Sequence, residues 1–126
     1  MTYICGMKLF LDDNRQPYDV FLNTIDPDYE NNESWSIVRD FNEFKGYIEE
    51  NGLPKLISFD HDLDMDHYLP ENQSDINYSD LKTLTGYDCA KWLVEYCSEN
   101  GFVIPNFKVH SQNPVGAENI TKVLSE

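Results

Sequence analysis

The sequence predicts an α/β protein in which a parallel sheet of about four strands is covered by helices on both faces. Three observations lead to this fold class. Short apolar runs recur along the chain, segments with helical periodicity lie between them, and polar residues follow each run. Strands joined by helices form parallel sheets with right-handed crossovers, and 126 residues are enough for one such domain, spanning residues 1–126.

Four runs are predicted to be strands. Three of them consist mainly of consecutive apolar or small residues, as expected for strands that are covered on both faces. The second run alternates more between apolar and polar residues, which is typical of an edge strand. The runs are KLFLD (Lys8–Asp12), WSIVR (Trp35–Arg39), LISFD (Leu56–Asp60) and FKVHS (Phe107–Ser111).

Three helices are predicted from the spacing of apolar residues and from capping signals. The first carries an apolar stripe that begins at Phe41 and stops before Gly52. Thr85 and Asp88 form a capping-box pattern at the start of the second helix. Asn113, which is followed by a proline, is the predicted N-cap of the third.

Two polar segments, Asp13–Ser34 and Leu63–Leu84, fit no regular element. Loops of this length in a compact domain are usually functional lids or insertions. A purely connecting role is an equally good interpretation of either segment. The first segment shows no convincing helix, so we expect an irregular crossover between the first two strands.

The composition restricts the partners that the protein can bind. A net charge of −14 repels a polyphosphate backbone, which argues against long duplex nucleic acid but allows a small phosphorylated ligand or an RNA end. No apolar run reaches the roughly 18 residues of a membrane span, and no secretion signal is visible, so we expect a cytoplasmic protein without membrane contacts. Three cysteines, none with a base nearby in sequence, are expected to be free thiols.

Carboxylates follow the first and third predicted strands. The carboxyl ends of parallel strands share one edge of the sheet, so we expect Asp12, Asp13, Asp60 and Asp62 to converge if these two strands are neighbours. Carboxylates at such short distances need a cation or a raised pKa, and oxygen ligands suit Mg²⁺ or Mn²⁺. The alternative is that Asp12 or Asp13 only caps a turn.

Other polar residues at the same predicted edge favour a bound phosphate. Arg15, Ser111 and Asn113 could hold its oxygens, together with the first amides of the last helix. His61 and His110 end neighbouring strands, and two such imidazoles can divide general acid and base work, in an order that the sequence does not assign. Ion pairing of Arg15, ordinary capping by Asn113 and structural histidines remain the alternatives.

Four motifs in order resemble the cyclic-phosphate-processing receiver-like family, which is related to response-regulator receiver domains. They are LFLDDNRQP, SFDHDLD, TGYD and HSQNPVG…NI, and the resemblance runs from about Lys8 to Leu124. It implies a flavodoxin-like, receiver-type fold. It also implies a Mg²⁺ site in which Asp12 and Asp13 lie beside Asp60.

The resemblance has one departure that bears on function. Receivers carry a Ser or Thr and then a Lys on later strands; Ser111 could supply the hydroxyl, but no further strand remains to bring the lysine. The leading hypothesis is therefore a metal-dependent phosphoesterase acting on a cyclic phosphate, with Asp60, His61 and His110 as catalytic residues. The alternatives are a non-catalytic module that binds a partner or a nucleotide, and a receiver phosphorylated on Asp60.

Overall fold

The computed structural model describes residues 7–63 and 84–125. Their strands are β1 (Lys8–Leu11), β2 (Trp35–Val38), β3 (Leu56–Phe59) and β4 (Asn106–Val109). All pairings are parallel, and the order across the sheet is β2–β1–β3–β4. This flavodoxin-like, receiver-like arrangement confirms the predicted fold class, and β2 is an edge strand as its alternating pattern indicated.

The described residues contain four helices, and the three that the sequence predicts are among them. Thr85 and Asp88 cap the start of α3 reciprocally, since each backbone amide donates to the other's side chain. The Asn113 side chain accepts from the amide of Gly116 and so caps α4. The helices are α1 (Pro17–Thr24), α2 (Phe41–Asn51), α3 (Gly86–Asn100) and α4 (Pro114–Ser125).

The expectation of an irregular first crossover is wrong, because α1 lies within it. Pro17 occupies the first helical position, and the Asp19 carboxylate accepts from the amide of Gln16, so the helix has a proper start. Its end is poorly marked in sequence, because Ile25 takes the left-handed conformation, with φ of 58°, that glycine usually supplies. Two short 3₁₀ turns, Pro27–Tyr29 and Asn32–Ser34, complete the connection. The second predicted loop lies, apart from its two end residues, outside the described residues.

The sheet separates two apolar clusters. On one face Leu9 and Leu11 pack with α2, α3 and α4, and on the other Phe10 packs with a smaller aromatic group. Strand side chains alternate between faces, so β1 needs apolar residues at consecutive positions to fill both. The smaller group consists of Phe10, Val20, Tyr29 and Trp35. Within the described ranges, no helix is long and apolar enough to cross a membrane.

Candidate functional site

The pairing of β1 with β3 brings the acids that follow these strands to one end of the sheet. The ladder continues one step beyond the strands, since the amide of Asp60 donates to the carbonyl of Leu11 at 2.9 Å. A cavity of about 550 Å³ opens at this end. Its wall is formed by Asp12, Asp13, Asn14, Arg15, Asp60, Asp62 and Gln112.

Asp12 is buried and accepts four hydrogen bonds. Its Oδ1 accepts from the backbone amides of Asn14 (2.9 Å) and Arg15 (2.8 Å). Its Oδ2 accepts from Nε of Arg15 (2.9 Å) and from Nε2 of His110 (3.0 Å). Burial alone would raise the pKa of Asp12, but these hydrogen bonds, that of His110 foremost, hold it well below its usual range. Asp12 is therefore ionised at neutral pH.

Asp60, unlike Asp12, accepts few hydrogen bonds and has a raised pKa. Its Oδ1 accepts from the His61 amide at 2.9 Å, whereas its buried Oδ2 has no hydrogen-bond partner among the residues that the structure describes. Burial, followed by the charges of Asp12 and Asp62, raises the pKa of Asp60 to about 8. In the absence of a cation, Asp60 therefore keeps its proton at neutral pH while Asp12 does not.

Asp12, Asp60 and His110 could hold a metal ion. Each offers one ligand atom, and the three atoms lie within 4.8 Å of one another. The unpartnered Oδ2 of Asp60 independently supports a fit, because a buried carboxylate oxygen without a donor costs free energy that a cation would recover. Asp13 and Asp62 lie on the same cavity wall.

His110 is buried behind Asp12 and stacks on Phe10, with the two rings nearly parallel and their centroids 4.4 Å apart. Its Nδ1 lies 2.6 Å from the hydroxyl of Ser58, which in turn lies 2.6 Å from the hydroxyl of Tyr29. Burial lowers the pKa of His110, although the Asp12 carboxylate acts in the opposite direction. The imidazole is therefore neutral at pH 7.

The hydrogen bonds of this group run in one direction. When no cation is bound, an ionised Asp12 can only accept, so Nε2 of His110 carries the proton and Nδ1 accepts from Ser58. The Ser58 hydroxyl then accepts from the phenol of Tyr29, whose pKa is raised by burial and which stays protonated. The chain from Tyr29 through Ser58 and His110 fixes the histidine tautomer and supports Asp12 from behind.

We expect Ser58→Ala to cost about 2 kcal/mol of unfolding free energy, because it leaves two buried partners unpaired. Tyr29→Phe removes only the end of the chain and should cost about 1 kcal/mol. Tyr18→Phe, at an exposed tyrosine, is the control and should change nothing measurable. Urea unfolding checks the ranking, and equal losses for Ser58→Ala and Tyr29→Phe would contradict a chain that passes through Ser58.

His61 is buried beside the start of α4. Its Nδ1 lies 2.7 Å from Oδ1 of Asp62, which also accepts from the side-chain amide of Asn113 (Nδ2) at 3.3 Å. A Cβ at Gly116 would lie 2.3 Å from the ring, so the glycine is what allows helix α4 to pack against this imidazole. Neither His61 nor His110 belongs to the described wall of the cavity, and each instead contacts a carboxylate that does.

The remaining predicted residues lie at the same end of the sheet. Arg15 lines the cavity, whereas the Ser111 hydroxyl accepts from the Asn113 amide at 3.1 Å. Gln112 on the cavity wall was not predicted as a site residue, and its position between Ser111 and Asn113 was the only available signal.

Arg39 donates to the backbone carbonyls of Asp12 (3.1 Å) and Arg15 (2.8 Å), so it holds the loop after β1.

A parallel sheet in this order, with acids at the carboxyl ends of both central strands, defines a receiver-like α/β protein. The family model described as "Cyclic-phosphate processing Receiver domain" matches residues 7–126. The chain belongs to this family. Comparison with curated proteins and with solved structures gave no significant match.

The described part of the chain also lacks the late strand on which a receiver would carry its lysine. After β4 it contains only α4, so no fifth strand carries a lysine to the site. Lys108 on β4 faces elsewhere, since its ammonium pairs with Asp26 at 2.7 Å and also with Asp28. Arg15 is the only cationic side chain on the described cavity wall.

Proposed function

We propose that the protein is a cation-dependent phosphoesterase of the cytoplasm that opens a cyclic phosphate, at an RNA end or in a nucleotide, or cleaves another small phosphate ester. The observation that carries this proposal is the buried Asp60, whose Oδ2 has no partner among the described residues, beside the ionised Asp12 in an open cavity. Family membership supports the choice of a cyclic phosphate. A role in RNA repair would follow if the substrate is an RNA end.

The proposed cation is Mg²⁺ or Mn²⁺, held by Asp12 and Asp60 with Asp13 and Asp62 nearby. Carboxylate oxygens are the donors that these two ions prefer. When bound, such a cation polarises a phosphoryl oxygen and makes water a better nucleophile. Hydrolysis adds one water across one ester bond of the ring, leaving a phosphomonoester and a free neighbouring hydroxyl.

The chain's own residues have separable roles in this proposal. Arg15, Ser111 and Asn113 are proposed to bind phosphate oxygens, Arg15 through its planar fork and the other two at the start of α4, where they accept from the backbone amides of Asn113 and Gly116 respectively. His61 and His110 are proposed for proton transfer. Neither imidazole lines the described cavity wall, and each contacts a carboxylate that does, so each would act on the substrate through Asp62 or Asp12.

We expect turnover of 2′,3′-cyclic nucleotides to a monophosphate in Mn²⁺ or Mg²⁺, and its loss in chelator. His61→Ala and His110→Ala should each lower kcat by roughly 10²–10⁴, the usual contribution of a positioned acid or base. Glu118→Gln, at an exposed glutamate that pairs with Lys122, is the matched control and should leave kcat unchanged. Product formation is followed by phosphorus NMR. Full turnover in both histidine variants would remove their proposed role.

Burial of both imidazoles favours a second candidate, a non-catalytic module that binds a nucleotide or a partner. In that case proton transfer is not needed, and His61 and His110 only support the carboxylates that they contact. Tight nucleotide binding without product, unaffected by chelator, is the result that distinguishes this candidate from the phosphoesterase.

A further inference from the structure

Arg15 lies between the two acids that would hold the cation. Its Nε is 2.9 Å from Oδ2 of Asp12, and its Nη2 is 3.6 Å from Oδ1 of Asp60. The guanidinium also reaches the His110 carbonyl at 3.5 Å. A positive group that pairs with the ionised Asp12 and lies beside the carboxyl group of Asp60 occupies the electrostatic position of a bound cation.

The hydrogen bonds of Asp12 show why this position matters. An ionised carboxylate accepts about four hydrogen bonds, and Asp12 already accepts four. A cation can therefore bind Asp12 only if one donor leaves. Two of the donors are amides of the turn after β1, and a third, His110, is held from behind by Ser58.

The Arg15 side chain is the donor that can leave. It lines the cavity and is 23% exposed, whereas the Asp12 and His110 side chains are each 1% exposed. Its backbone stays in place, because the Arg15 carbonyl accepts from Arg39 at 2.8 Å. The guanidinium can thus rotate away without loss of the turn.

We propose that Arg15 is an internal counter-ion that a divalent cation displaces from Asp12 and Asp60, and that its release turns the guanidinium towards the phosphate of the substrate. This inference rests on the cation site of the proposed function. One consequence is that cation and phosphate ester bind cooperatively, because the cation frees the group that clamps the ester. By linkage, the ester strengthens cation binding by the same factor.

The experiment measures Mn²⁺ binding without any phosphate, by the loss of the free-ion electron paramagnetic resonance signal. Arg15→Gln should bind Mn²⁺ roughly tenfold more tightly than wild type, because no charge-assisted hydrogen bond has to be broken. Lys122→Gln is the matched control: it also removes one positive charge, from an exposed position on α4 where Lys122 pairs with Glu118, and should stay within about threefold of wild type. If Arg15 only binds phosphate, Arg15→Gln should leave the affinity for Mn²⁺ unchanged. If Arg15 only keeps Asp12 in position, the affinity for Mn²⁺ should fall. Either result overturns the inference.

A second measurement uses the wild-type chain. Because Arg15 and Arg39 are the only arginines, the two side-chain Nε–H signals are readily assigned in nitrogen-15 spectra. Saturating Mg²⁺ should shift the Arg15 signal to that of a solvated guanidinium and leave that of Arg39 in place. An unmoved Arg15 signal in cation-loaded protein overturns the inference alone, whereas absence of Mn²⁺ binding in both wild type and Arg15→Gln overturns the cation site as well.

Discussion

Gly86→Ala is expected to destabilise the protein by at least 3 kcal/mol, or roughly 10 °C in Tm. A Cβ at position 86 would lie 1.7 Å from the carbonyl oxygen of Asp60 and 3.0 Å from Cα of His61. These are backbone atoms, and they are fixed, because the Asp60 amide belongs to the β3–β1 ladder and the Gly86 amide donates to the His61 carbonyl. Neither side can move without separating α3 from the end of β3.

Two other glycines provide matched comparisons for this variant. Gly46 is exposed on α2 with nothing within 4 Å of its added Cβ, so Gly46→Ala should stabilise by up to about 1 kcal/mol through helix propensity. Gly116→Ala meets the side chain of His61 rather than backbone atoms and should cost about 1–3 kcal/mol. Thermal unfolding of the three variants checks the order, and a Gly86→Ala protein with the wild-type Tm would contradict the described packing.

Asp60→Asn is expected to raise stability in cation-free buffer at pH 8, by about 1–3 kcal/mol or roughly 3–10 °C in Tm. The folded-state pKa of Asp60 is raised from 3.8 to about 8, so between these values the folded protein binds a proton that the unfolded chain has lost. The free energy of unfolding of the wild type therefore falls as pH rises from about 4 to about 8. An amide cannot ionise, so the advantage of Asp60→Asn should grow over the same interval and then level off.

Cation should offset most or all of this advantage of Asp60→Asn. Wild type should gain about 2.7 kcal/mol when the free Mn²⁺ concentration is a hundred times its Kd, whereas Asp60→Asn should gain almost nothing. Glu118→Gln removes the same formal charge from an exposed position and should show neither the pH-dependent gain nor the loss of the Mn²⁺ response. Differential scanning fluorimetry across pH, with and without Mn²⁺, is sufficient. If Asp60→Asn is less stable than wild type at pH 8 without cation, the raised pKa of Asp60 is wrong.

Much of the fold was predictable because its signals are local. Each strand is a short apolar run, and the caps at Thr85 and Asn113 use side chains close to the helix start. Helix α1 was missed because it is only eight residues long and ends at Ile25, a β-branched residue in a conformation that glycine usually marks. Its apolar residues also divide between the core and solvent, since Val20 is buried while Leu22 is 59% exposed.

The site was predictable only as a set of residues at one edge of the sheet. Asp12 and Asp60 come together because β1 and β3 pair in parallel. The sequence predicted this convergence only on the condition that these two strands are neighbours. Their opposite protonation could not be predicted, because it depends on which carboxylate receives donors from His110 and Arg15. The contact of Ser58 with His110 could not be predicted, because Ser58 is a small residue in an apolar strand. Its other partner, Tyr29, lies in a connection that was expected to be irregular.

The aromatic cluster on the second face of the sheet gives the protein an intrinsic optical reporter. Trp35 stacks on Tyr29 with ring centroids 5.4 Å apart and planes 4° from parallel. The same phenol is hydrogen-bonded to Ser58, which connects it through His110 to Asp12. Rearrangement of the Asp12 carboxylate is thus linked, through three side chains, to the environment of an indole. In a Trp92→Phe variant, which leaves Trp35 as the single tryptophan, we expect the emission of Trp35 to follow events at the acidic end of the sheet without an attached dye.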